Sequence, residues 1–150
     1  MRMTAMVTIS ERQPISTPMT WEITRTRRIV LGGAIVITLA TGAAIGSTYA
    51  PAAATDPDLL VLVRFMAFVK TVIALSAAAI VAWRFGSAIA RPLAATYIAS
   101  VSLMALAPGL IWYEALLPLA SGLFHSGLLL GLALAAGDGL LKRRASDPAD

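Results

Sequence analysis

Short polar breaks divide the chain into four apolar stretches, each close to the ~20 residues that a helix needs to cross a bilayer. They run from about Ile29 to Tyr49, Leu59 to Trp83, Pro92 to Ile111 and Leu116 to Leu141. This pattern constrains the fold more than any single motif. A soluble domain carries roughly 25% charged residues, whereas this chain has 13% charged and 58% hydrophobic residues. Polar surface is too scarce to cover four such helices in water, so lipid is the expected solvent. The predicted fold is an all-α membrane protein, a four-transmembrane-helix bundle. Residues 1–20, with Pro14 and Pro18 and no apolar periodicity, read as a disordered cytoplasmic tail, and residues 145–150 as a second short one. The spanning domain covers residues 21–144.

Lysine and arginine in short loops bias those loops toward the cytoplasm. Arg2, Arg12, Arg25, Arg27 and Arg28 precede the first span. Arg84 and Arg91 join the second to the third, and Lys142, Arg143 and Arg144 follow the fourth. The connections at 51–58 and 112–115 contain none and carry Asp56, Asp58 and Glu114 instead. Both termini are therefore expected in the cytoplasm, and arginine and alanine richness points to a GC-rich bacterium and its inner membrane. Tyr49, Trp112 and Tyr113 at one end, and Trp83 and Phe85 at the other, fit interfacial aromatic belts. A competing feature is Thr26-Arg27-Arg28-Ile29-Val30-Leu31, which resembles a twin-arginine export signal, with Ala52-Ala53-Ala54 as a small-residue cleavage site. Such signals serve folded soluble domains, and the three further spans argue against it.

The same reading narrows function. The chain has no cysteine, so it forms no disulfide, thiolate metal site or iron–sulfur cluster of its own. Its net charge of +4 lies in span-flanking clusters, so no nucleic-acid partner is expected. No carboxylate pair, nucleophile–base spacing or glycine-rich phosphate loop marks an enzyme, and no metal or cofactor is expected.

Helices in lipid associate where small residues let backbones approach. Ala34, Thr38, Gly42 and Gly46 form one stripe at i+4 spacing, and Gly127, Gly131, Ala135 and Gly139 form another. Each serves packing, either within the bundle or against another subunit. On the second span, at 100° per residue, Arg64, Ala67, Lys70, Thr71, Ala74, Ala77 and Ala78 share a sector of about 140°. Phe65, Phe68, Val69, Val72, Ile73 and Ile80 lie opposite. The small, cationic face should turn toward protein and the bulky face toward lipid.

Lys70 is the leading candidate for a functional residue. At 1.5 Å per residue it sits about 16 Å from the outer end of its span, too deep to snorkel. A charge at that depth costs ~2.5–3.5 kcal/mol on insertion scales, and no carboxylate in the chain matches its depth. His125, the only histidine, lies about 13 Å from the outer end of the fourth span. Thr71 and Ser126 supply hydroxyls nearby. Arg64, about 8 Å in, is expected to snorkel outward and pair with Glu114, Asp58 or a lipid headgroup. Asp138 and Lys142, four residues apart, are expected to form an interfacial ion pair.

A purely structural role for Lys70 and His125 competes with three functional readings. Lys70 could meet a carboxylate or carbonyl from a partner subunit, making this chain a non-catalytic accessory subunit or a homo-oligomer. It could bind an anionic or protonatable substrate in a small transporter or permease subunit. His125 could ligate a haem, although a bis-histidine site requires a second histidine from elsewhere. Among the functional readings the sequence favours the accessory subunit, with the transporter as its alternative.

Overall fold

The computed structural model describes residues 18–49, 56–87 and 89–146, with side chains over 21–49, 56–87 and 89–138. Of the tail expected over residues 1–20, residues 18–20 already belong to the first helix, while residues 1–17, the Ala52-Ala53-Ala54 segment and residues 147–150 lie outside the described residues. The described chain is all-helical: α1 (Pro18–Thr48), α2 (Pro57–Arg84), α3 (Arg91–Trp112) and α4 (Leu117–Ser146). All four are long and apolar enough to cross a membrane.

Local chemistry explains most of the boundaries. Asp56 caps α2 by accepting the Asp58 N–H at 3.0 Å, and Pro57 follows in the first turn, where its missing N–H costs nothing. Pro92 plays the same part in α3. Helix α3 continues through Pro108 to Trp112. It stops in a Schellman arrangement: Ala115 N–H donates to the Leu110 carbonyl (3.0 Å) and Glu114 N–H to that of Ile111 (2.9 Å). Glu114 holds the left-handed position at φ 57°, a place usually taken by glycine, and Leu116 at φ 51° completes the reversal. Leu116 is thus the hinge before α4 and not its first residue.

Helix α1 starts eleven residues before the apolar stretch at Ile29, carrying its arginines into helical register. Arg28 Nε donates to the Ala82 carbonyl (3.0 Å), Arg27 to that of Ile89 (2.9 Å), and the Thr24 hydroxyl to that of Phe85 (3.2 Å). Sequence reading assigned these arginines to topology alone. Arg28 also satisfies a carbonyl in the last turn of α2, which its own helix leaves open, and Arg27 one in the connection just before α3.

The bundle is built around α3. Just over half of its apolar window, 56%, is buried, against 17–22% for the other three. Glycines of both stripes pack on it. A Cβ at Gly42 would lie 2.4 Å from the Leu106 carbonyl oxygen, and one at Gly109 only 2.5 Å from the Ala43 nitrogen, so α1 and α3 meet backbone to backbone. On the other flank, a Cβ at Gly127 would lie 2.6 Å from the Ser100 oxygen. A Cβ at Gly46 would meet the Gly109 carbonyl oxygen and the Tyr113 ring, each at 2.8 Å, whereas one at Gly131 would meet only the Ser100 hydroxyl at 2.9 Å. Within the stripes, Ala34 and Thr38 are half-buried, Thr38 bonding back to the Ala34 carbonyl, while Ala135 is exposed. The side chain position of Gly139 lies outside the described residues.

The α3–α4 seam is pinned by one hydrogen bond, from the buried Ser100 hydroxyl to the Gly127 carbonyl at 2.7 Å. Interhelical bonds of this kind average ~0.6 kcal/mol inside membranes. Ser100→Ala is therefore expected to cost about 0.6 kcal/mol in reversible unfolding in detergent micelles. A loss above about 2 kcal/mol would mean that the hydroxyl, and not the glycine contact, holds the seam.

Candidate functional site

Helix α2 separates its residues as the wheel anticipates: Ala67, Ala74 and Ala78 are buried, while Phe65, Phe68, Val69, Val72, Ile73 and Ile80 are exposed. Lys70 is half-buried on the seam between α2 and α4. Its ammonium stands 4.9 Å from the centroid of the Phe124 ring, itself buried at 3% exposure. No carboxylate among the described residues pairs with it. Phe124 is the partner that a search for opposite charge overlooks, because a ring face attracts a cation through its quadrupole. Its depth, about 12 Å into the fourth span by the same rise, was the available signal.

The other expected members of this site disperse. Thr71 donates back to the Ala67 carbonyl at 2.8 Å. His125 and Ser126 are exposed, so they lie on the outer side of α4 while Lys70 packs against its inner side. His125 Nδ1 is 2.7 Å from the Ser121 carbonyl oxygen. A carbonyl only accepts, so Nδ1 carries a proton and Nε2 provides the lone pair of the neutral ring. Neighbouring helix residues point about 100° apart, which is why sequence adjacency to Phe124 does not bring His125 to Lys70. Arg64 lies over the Trp112 ring, 5.4 Å from its centroid, an interfacial cation–π contact at the end where its snorkelling was expected.

Asp138 pairs across the bundle with Arg84, the last residue of α2, through Nε at 2.7 Å and a second guanidinium nitrogen. The expected Asp138–Lys142 pair rests on the Lys142 side chain, which lies outside the described residues. Arg84 also donates to the Ser87 hydroxyl. Sequence reading counted Arg84 as a loop charge and overlooked the pair. The signal lay in depth: Arg84 and Asp138 stand at similar distances from the outer ends of their spans.

Arg84 and Asp138 close one end of a cleft of about 510 Å³ between α2, α3 and α4. Its walls are apolar, from Ile73, Ile80, Val101 and Met104 to Leu132, with Tyr97 and Ser100 as polar points. Lys70 and Phe124 stand one turn beyond its far end. Among the described residues no three His, Asp or Glu side chains converge as a metal site would require. Lined this way, the cleft can hold an apolar chain and recognise a polar group at Arg84–Asp138, and the Lys70 seam can offer a cation at mid-depth. Comparison with protein families, curated proteins and solved structures returns no significant match to this chain.

Proposed function

We propose that this chain is a multi-pass protein of a bacterial inner membrane, with both termini cytoplasmic, and that it serves as a non-catalytic accessory subunit of a larger membrane complex. Membrane residence is supported by the outward faces of the bundle. Phe65, Phe68, Val61, Val36, Ile37 and Leu129 are each more than 60% exposed, an aggregation surface in water and an ordinary one in lipid. The orientation is supported by the arginines gathered at the Arg28–Arg84 end and the acids Asp56, Asp58 and Glu114 at the other.

The observation that carries the accessory role is Lys70. For a half-buried ammonium such as Lys70 a cation–π contact supplies about 1–2 kcal/mol, against an insertion cost of ~2.5–3.5 kcal/mol. Part of that cost is left for a carboxylate or carbonyl brought by a partner at the α2–α4 seam. The cleft beside that seam favours a second reading, a small transporter or permease subunit with Lys70 near its substrate.

Purification in mild detergent separates the two. Lys70→Leu is expected to reduce co-purifying partner by about tenfold or more, the loss of one charge-assisted contact, while the subunit itself still folds. Intact association with lost flux would transfer the role to transport. Normal assembly and normal flux would remove Lys70 from both readings.

A further inference from the structure

We propose that the cleft between α2, α3 and α4 is a binding site for one phospholipid of the cytoplasmic leaflet, whose headgroup carries both a phosphate and an ammonium. The inference rests on the membrane orientation given above and is independent of the accessory role. It goes beyond Lys70, which does not line the cleft.

Length is the first argument. On α2 the cleft runs from Ile73 to Arg84, and on α4 from Leu128 to Asp138. At 1.5 Å per residue each wall is about 15–16 Å long, half of a ~30 Å hydrocarbon core and so the depth of one leaflet. The second argument is access. Ile73, Ile80, Trp83 and Leu132 line the cleft and are also exposed on the bundle's outer surface, so a chain enters sideways from the bilayer. The polar end then falls at headgroup level, where Arg84 and Asp138 sit.

Charge selects the headgroup. Among the described residues only Oδ2 of Asp138 is engaged, leaving Oδ1 as an acceptor. Arg84 contacts Asp138 and Ser87 through three of its nitrogens, and its five N–H groups exceed those contacts. Side by side, they offer donors to a phosphate and an acceptor to an ammonium. A purely anionic headgroup gains the donors but meets the carboxylate as a like charge.

The test uses the full chain, purified in mild detergent, stripped of lipid and then given an equal mixture of phosphatidylethanolamine and phosphatidylglycerol. Bound lipid is read by native mass spectrometry. The wild type is expected to retain phosphatidylethanolamine about tenfold over phosphatidylglycerol, the discrimination of one charge-assisted contact. Asp138→Asn should abolish that preference. Ser76→Leu with Ala135→Leu fills the cleft from two exposed positions, away from the ion pair, and should lower retention of both lipids about tenfold. Equal retention by the filled variant, or a preference for phosphatidylglycerol, overturns the proposal. So does capture of a polypeptide instead of lipid by a photo-crosslinker at Leu132. Resistance of the protein to carbonate extraction, measured alongside, tests membrane residence itself, so failure of that reading is seen separately.

Discussion

Gly109→Ala is expected to destabilise the bundle by about 1–2 kcal/mol net, although alanine is the better helix former by ~1 kcal/mol. The new methyl would meet three consecutive backbone atoms of α1: Ala43 N at 2.5 Å, Gly42 C at 2.6 Å and Gly42 Cα at 3.0 Å. Backbone cannot rotate away as a side chain does, so α1 must retreat from α3 along its length. Overpacking of this kind costs ~1–3 kcal/mol, toward the upper end where nothing flexible yields. Gly32, Gly33, Gly122 and Gly137 are the internal controls, since a Cβ at any of them meets nothing within 4 Å. Alanine there should leave the melting temperature in detergent unchanged or raised. If Gly109→Ala melts with the Gly122→Ala control, the close α1–α3 approach is absent from the protein in solution.

Breaking the Arg84–Asp138 pair has the second large effect. Surface pairs contribute ~0–1 kcal/mol, whereas removing one member of a buried pair costs ~3–5 kcal/mol. With side chains 16% and 15% exposed, this pair belongs nearer the buried limit. Asp138→Asn is expected to cost about 2 kcal/mol, chiefly because Arg84 is left charged beside the apolar cleft. Arg84→Gln combined with Asp138→Asn should recover more than half of that loss, since no lone charge remains. The double-mutant cycle measures the coupling directly. Additive losses in the two single variants would show that the residues act independently, and the link between the ends of α2 and α4 would have to lie elsewhere.

The elements were readable because each is a local matter. Spacing of apolar stretches, Pro57 and Pro92 in first turns, and the Asp56 cap act within a few residues of themselves. The inside-out face of α2 was readable too, since Ala67, Ala74 and Ala78 against Phe65, Phe68 and Val72 is a contrast of size at fixed angle. The site was less so. Lys70 could be marked as costly from its depth alone, yet its neighbour Phe124 is a ring, and a search for opposite charge passes over it. His125 was drawn into the same site by depth, which says nothing about azimuth; its exposure puts it on another side of α4. Asp138 illustrates the remaining difficulty: a helix always offers an i+4 partner, and a sequence cannot rank that local pair against a distant one.

By itself the sequence determined an all-helical chain with four segments able to cross a membrane, their order and approximate places, and which face of α2 is small. These follow from hydropathy and helical periodicity, which are properties of each segment alone. Only the tertiary structure decided that α3 is the helix the others share, that glycines of both stripes pack on it, that Arg28 binds a carbonyl in the last turn of α2 and Arg27 one in the α2–α3 connection, and that Arg84 closes a cleft with Asp138. The reason is physical. Contacts between helices depend on relative rotation and depth, and many arrangements of four apolar helices bury similar surface. Backbone-to-backbone fits such as Gly42 and Gly109 choose among them, and such fits exist only once the helices are in place.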